Sequence, residues 1–289
     1  MKVIAVDLGG TNVRVALVDS EGIILSKKSC PIEKEGGEEV LDQIIHLVDP
    51  LIEDADGMGI VIPGAITCEG LVWAPNIPGW KDLPLEKILR DKFHPFDVIV
   101  KDDRYATILG ESHFGAVKGY KNVAYVIIGT GIAAGLMIEG KIYSGSRGLS
   151  GSIGWFITDE NIIQGADHEI FESKVAGRAL KKKLGVNGEE LMEMASKGDI
   201  KALESLNALG EKIGIGIANL VAVVDPEIVV IGGGVSKSWQ YIEGGIRSTL
   251  NKWDHPIFKD IKVVCSTLGD DAGILGITRI VMERVGEQN

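Results

Sequence analysis

Residues 6–22 read VDLGGTNVRVALVDSEG, an acid, two adjacent glycines and a threonine set between two runs rich in valine and leucine. The residues before the glycines, KVIAVDL (2–8), have the near-continuous apolar character of a buried strand. After them Val13, Val15 and Leu17 alternate, as on a strand covered on one face. Ser20-Glu21-Gly22 turns the chain into a third run, GIILSKK. The Gly-Gly-Thr segment is therefore a turn between strands, and two uses are open to it. It is a plain hairpin, or a hairpin whose N–H groups are left bare for an anion.

The same pattern returns 119 residues later in NVAYVIIGTGIAAGLMIEGKIYSG. The shift lays Gly10-Thr11 on Gly129-Thr130, Val13 on Ile132, Val15 on Ala134, Leu17 on Leu136 and Ile23 on Ile142. Two copies of strand, Gly-Thr turn and alternating strand predict two related α/β halves built on one plan. We place their boundary near Ser112–Tyr120, giving lobes of residues 1–115 and 116–289. Between the copies, apolar residues at helical spacing run from Glu38 to Ala55, interrupted by Pro50, which should split that helix. GMGIVIPG and DVIVKDD read as strands, LPLEKILRDKF and ATILGESHFGAV as helices. Beyond the second copy the pattern is helical through residues 170–224, with a polar loop around Lys183–Glu190. EIVVIGGGVSKS and IKVVCSTL are further strands. The last helix, GDDAGILGITRIVMERV, is expected to cross back onto the first half.

Composition narrows the function. The 289 residues are 45% hydrophobic and 25% charged, enough for a sizeable core. A formal charge of −11 without a basic patch argues against a nucleic-acid partner and toward small-molecule chemistry. No run approaches the roughly 20 apolar residues of a membrane span, and no leader pattern precedes the first strand, so no membrane partner and a cytoplasmic location are expected. Cys30, Cys68 and Cys265 are too far apart for a metal site or a disulfide framework. His46, His94, His113, His168 and His255 show no metal spacing either.

Three glycine turns each leave a hydrophobic strand: Gly9-Gly10-Thr11, Gly129-Thr130-Gly131 and Gly232-Gly233-Gly234. Several such turns can hold a nucleotide's phosphates through main-chain N–H groups, helped by threonine hydroxyls. They are neither a Walker loop nor a dinucleotide fingerprint, since GxxxxGK[ST] is absent and the first strand continues into another strand. Asp102 and Asp103 end a strand where a helix begins. That is a common place for functional groups in α/β proteins, and equally a place for acids that only cap a helix.

Taken in order, DLGGTNVRVALVD, GIVIPGAITCEGLVWAPNIPGW, DDRYATILGE, GTGIAAGL, GLSGSIG, VVIGGGVS and LGDDAGILG resemble the signature blocks of the ROK-family sugar kinases, within the actin and hexokinase superfamily. The resemblance covers almost the whole chain. It implies two actin-like, ribonuclease H-like α/β lobes with mixed sheets around an interlobe cleft, and ATP-dependent phosphorylation of a sugar hydroxyl by a homodimer. It also implies roles. Asp7, with Gly9, Gly10, Thr11 and Asn12, would face the phosphates and a magnesium ion reached through water. Gly129, Thr130 and Gly131 would form the second phosphate loop and Gly232, Gly233 and Gly234 the adenosine-side loop. Asp103 would be the catalytic base, with Gly64, Asn76, Asp102, Ser152, Trp155 and Glu172 on the sugar.

Several positions depart from the family pattern. The zinc block, a His followed by clustered cysteines, is missing: Trp155 stands at the His position and ITDENIIQGADHEIF has no cysteine, so no zinc is expected. Gly151-Ser152-Ile153-Gly154-Trp155 lacks the block's sugar-contacting Glu. Asp102 replaces an Asn, and Arg104 and Tyr105 replace small or amide residues. A carboxylate beside Asp103 should raise the pKa of one member unless a cation such as Arg104 compensates. The expectation is intact ATP machinery with an acceptor other than ordinary glucose. The alternative is a catalytically weak sugar-binding or regulatory member. Trp73 and Trp80 are assigned to core packing before sugar stacking.

Overall fold

The Gly-Gly-Thr segment closes a hairpin. Strands β1 (Lys2–Leu8) and β2 (Asn12–Asp19) pair antiparallel with Leu8 opposite Val13, and Gly9 N–H donates to the Asn12 carbonyl at 2.8 Å. The computed structural model describes residues 1–67, 69–158, 170–177, 181 and 185–288. These fall into two units, one of Met1–Lys118, Ser144–Ser150 and Asp271–Asn289, the other of Gly119–Tyr143 and Gly151–Asp270. Ser144–Ser150, which follows the boundary expected near residue 115, thus packs with the first unit.

In the first unit β3 (Ile24–Pro31) extends the hairpin, and β4 (Gly57–Ile62) and β7 (Val98–Asp102) add in parallel on the other side of β1, in the order β3-β2-β1-β4-β7. A two-stranded ribbon, β5 (Ala65–Ile66) with β6 (Val72–Trp73), follows β4. Helix α1 (Gly37–Val48) buries Val40, Ile44 and Val48, and at Pro50 the chain changes to the 3-10 turn Asp49–Asp54, because proline supplies no N–H to continue the ladder. Helix α2 is Leu85–Lys92. Helix α3 (Asp103–Phe114) begins three residues earlier than its apolar pattern suggested, because Asp102 caps it. The helix Ala272–Gln288 lies on this unit through glycines: a Cβ at Gly276 would collide with the Ala106 carbonyl and one at Gly110 with that of Ala272, so α3 and this helix meet at backbone distance.

The second unit repeats the sheet. Strands β8 (Val123–Ile128), β9 (Ile132–Ile138), β10 (Lys141–Ile142), β11 (Ile228–Gly232) and β12 (Lys262–Cys265) are ordered β10-β9-β8-β11-β12, antiparallel then parallel as in the first. Its hairpin closes one residue tighter, with Ile128 opposite Ile132. The stretch read as helical from residue 170 gives, among the described residues, the turn α4 (Glu172–Val175), helical conformation at Gly177 and Lys181, and then α5 (Gly188–Ser196). Helix α5 starts inside the predicted polar loop because Asn187 and Glu190 form a reciprocal capping box. Helix α6 (Ile200–Val224) is long and apolar enough by composition to cross a bilayer. It buries Leu206, Leu209, Ile213, Ile217, Leu220 and Val221 in the unit's own core, and Gly210 lets α7 (Trp239–Leu250) approach to backbone contact.

Candidate active site

In the first unit three strand ends supply the chemistry. After β1, Gly10 and Thr11 are exposed at the tip of the hairpin. Asp7, one turn of the pleat earlier, is partly buried and accepts from the Arg14 guanidinium at 2.9 Å. It also lies against the first turn of the helix Ala272–Gln288, since a Cβ on Gly273 would stand 3.6 Å from its Cγ. The N-terminal end of a helix favours negative charge there. Arg14 carries no signal as a motif, yet it follows from the register: once Leu8 pairs with Val13, Asp7 must face Arg14.

After β4, Gly64 packs so closely on the β6 ribbon that a Cβ would collide with the Trp73 carbonyl. The proline-rich loop then folds as a turn over Ala74–Trp80, with Trp80 only 2% exposed and its indole N–H donating to the Gly37 carbonyl at 3.0 Å. Trp80 is core, as assigned, while Trp73 is partly exposed. The same turn leaves Asn76 exposed.

After β7 the two acids separate, and the capping reading holds for Asp102. Asp102 is the N-cap of α3: its Oδ1 accepts from Tyr105 N–H at 3.1 Å and from Arg104 Nε at 3.2 Å. Asp103 is the first helical residue, and its pKa is pushed up from 3.8 to about 7. Burial is the largest cause and the Asp102 carboxylate the next; Arg104 pulls the other way, Asp7 adds to the rise, and the Arg104 backbone N–H lowers it slightly. Some of the Asp103 surface still reaches solvent, so the group sits at a rim of dense protein and not in a closed core.

In the second unit the hairpin Gly129–Gly131 exposes Thr130, and no atom approaches within 4 Å of where a Cβ of Gly129 would sit. Glu172, on the first residue of α4, braces this turn. Its Oε2 accepts from Ile132 N–H at 3.1 Å and would lie 2.6 Å from a Cβ at Gly131. The resemblance assigned Glu172 to the sugar; the described contact is to the phosphate-type hairpin. Ser152 and the 3-10 turn Ile153–Trp155 pack on the same hairpin, with Gly154 buried beneath Ile132 and the Trp155 side chain 61% exposed. At the end of β11, a Cβ on Gly232 would collide with the Tyr125 hydroxyl, Gly233 has φ +74°, and the Gly234 position is open. Among the described residues no group of three His, Cys, Asp or Glu side chains is placed to hold a metal. Residues 159–169, where the missing zinc block and His168 fall, lie outside the described residues, as does Cys68.

A sequence model of the ROK family matches residues 3–284. The chain belongs to the ROK family. Among its ROK relatives, a glucokinase of Thermotoga maritima is 30% identical, with 99% of each chain covered. A ROK family glucokinase from Streptomyces griseus, solved in complex with glucose and AMPPNP, superposes with a TM-score of 0.87 at 27% identity, over 98% of this chain and all of that one. A xylose repressor of Bacillus spizizenii is 28% identical over 97% of this chain and 77% of its own length. The two-unit α/β fold with mixed sheets is thus that of actin-like ROK sugar kinases.

Proposed function

We propose that this ROK chain transfers the γ-phosphoryl group of ATP to a hydroxyl of a sugar or sugar-like polyol, with Asp103 as general base. The observation that carries the reading is Asp103 itself, a carboxyl at a strand-to-helix junction whose pKa near 7 suits it to take a proton at neutral pH. A sugar hydroxyl is a poor nucleophile, so removing its proton as the phosphoryl group moves is the step a base must serve. The exposed hairpin residues Gly10, Thr11 and Thr130 suit phosphate oxygens, and the open Gly234 position suits the close approach of the rest of the nucleotide. Bound magnesium would neutralise charge on those oxygens, and a single carboxylate, Asp7, reaching it through water fits that ion's habit of keeping most of its waters.

The acceptor, in this reading, differs from ordinary glucose. Asp102 is committed to capping α3 and to Arg104, and Ser152 and Trp155 stand where the family pattern has two sugar ligands. Gly64, Asn76 and the exposed Trp155 indole remain for the acceptor. The test is ADP release over hexoses, amino sugars, N-acetyl sugars and polyols, run beside Asp103→Asn. One acceptor should raise turnover far above background and the Asn variant should lose it by on the order of 100-fold or more. No response to any acceptor, or an equally active Asn variant, refutes the kinase reading; glucose as the best substrate refutes the acceptor reading. The likeness to a xylose repressor supports a second reading, a sugar-binding protein without turnover, which predicts heat of sugar binding in calorimetry and no ADP.

A further inference from the structure

Arg104 is 8% exposed, and a guanidinium so deeply placed must find partners for its fork of donors. It finds four, on three separate stretches of the first unit. Nε donates to Asp102 Oδ1 at 3.2 Å, Nη1 to the Ser150 carbonyl at 3.0 Å, and Nη2 to the carbonyls of Gly148 at 3.0 Å and Gly64 at 3.5 Å. Two of those carbonyls belong to Ser144–Ser150, a segment with no strand or helix of its own. Within the segment, Ser150 N–H donates to the Ser144 carbonyl and Gly148 N–H to the Gly145 carbonyl. A third carbonyl lies in the Gly64 turn and the carboxylate is the α3 cap.

We propose that Arg104 is a positioning residue, a strap that fixes the Gly64 turn and the Ser144–Ser150 segment against the cap of α3 and so sets the acceptor-binding backbone of the first unit. Main-chain carbonyls have no preference among side chains, so gathering these three on one group takes a donor with this reach and geometry. Arginine's planar fork serves several oxygens at fixed angles, whereas lysine's ammonium is a point charge on a flexible stem. The strap follows from the hydrogen bonds alone; its effect on the acceptor rests on the kinase reading above.

Arg147, exposed within the segment, makes the strap measurable without any substrate. Native wild type, Arg104→Ala and Arg104→Lys are digested with trypsin, and cleavage after Arg147 is timed against cleavage after Lys197, an exposed site in the turn following α5. Release of the segment should speed cleavage at Arg147 by about 10-fold or more in both variants and leave Lys197 unchanged. Equal cleavage at Arg147 in all three proteins, or acceleration at Arg147 and Lys197 together, overturns the strap, the second because Arg104 would then only support the fold. Wild-type behaviour of Arg104→Lys overturns the argument from the fork. With the acceptor identified by ADP release, both variants should raise its KM by on the order of 10-fold while the KM for ATP holds. A KM for ATP that rises in step, or an acceptor KM that stays put, overturns the positioning role. If wild type turns over no acceptor, the kinase reading fails and the digestion still decides the strap.

Discussion

Replacing Asp103 with Asn removes a carboxyl that the fold keeps protonated up to about pH 7, and this arrangement has a measurable effect on stability. In the unfolded chain the group ionises near its ordinary 3.8. Below that pH both states carry the proton and the contribution of Asp103 to stability is complete. As pH rises from there the unfolded chain releases its proton first, so the folded state loses about 1.4 kcal/mol per pH unit until its own carboxyl ionises near 7. Above that the loss levels off at about 4 kcal/mol, a ceiling that solvent contact at the rim lowers. The amide of the Asp103→Asn variant has no such titration, and groups not facing Asp103 titrate alike in the two proteins. Between pH 5 and pH 8 the wild type should therefore lose about 3 kcal/mol relative to Asp103→Asn. Urea unfolding of both proteins at each pH unit measures this directly, with the difference in midpoint converted through a common slope. A stability difference that stays constant to within about 0.5 kcal/mol over that range would refute the buried, proton-holding Asp103. The same group should give kcat/KM an acid limb that rises with pH through an apparent pKa near 7.

Asp102→Asn keeps a side chain able to cap α3 while removing the second-largest cause of the Asp103 rise, so the acid limb of the pH–rate profile should move to lower pH; a limb that does not move shows that the neighbouring charge is unimportant. Gly233→Ala places a Cβ at φ +74° and 2.6 Å from the Ile128 carbonyl, and should destabilise the protein by roughly 1–3 kcal/mol and weaken binding of a non-hydrolysable ATP analogue, both lost if melting temperature and affinity match wild type.

The hairpin that opens each sheet was legible because it announces itself by alternation and a glycine turn. Some glycine turns were legible for a related reason. Where one backbone must approach another or turn left-handed, only glycine fits, and the letter itself reports the geometry, as Gly233 does. Asp103 was singled out only through resemblance, since two acids at a helix start are also how an ordinary helix is capped. The structure shows why the ambiguity could not be resolved locally: Asp102 is the cap and Asp103 is not. Arg104 was legible as the cation beside the acid pair, and it does meet Asp102, but its bridging role lay beyond reach. Its partners are carbonyls 40 to 46 residues away, and a carbonyl leaves no mark on the sequence. Glu172 shows the same limit from the other side, because a matching letter said nothing about its contact with Ile132 N–H.

The repeat also bears on why the acids gather in one unit. The two sheets share their strand order, so the ends of β1, β4 and β7 correspond to those of β8, β11 and β12. At the first pair, Asp7 faces Arg14, whereas the tighter second hairpin sets Val126 opposite Ala134. At the last pair, β7 runs into Asp102 and Asp103, while β12 ends at Cys265 and runs into Ser266 and Thr267. Both copies keep the glycine hairpin, the part that needs only main chain. The carboxylates at these strand ends are confined to the first copy, where Asp7 and Asp102 are near enough to raise the Asp103 pKa. A carboxyl poised near 7 needs burial first and like charges second, and both destabilise the unit that contains it once the group ionises. Placing all three acids in one copy limits that strain to one unit, a division that two equal copies could not provide.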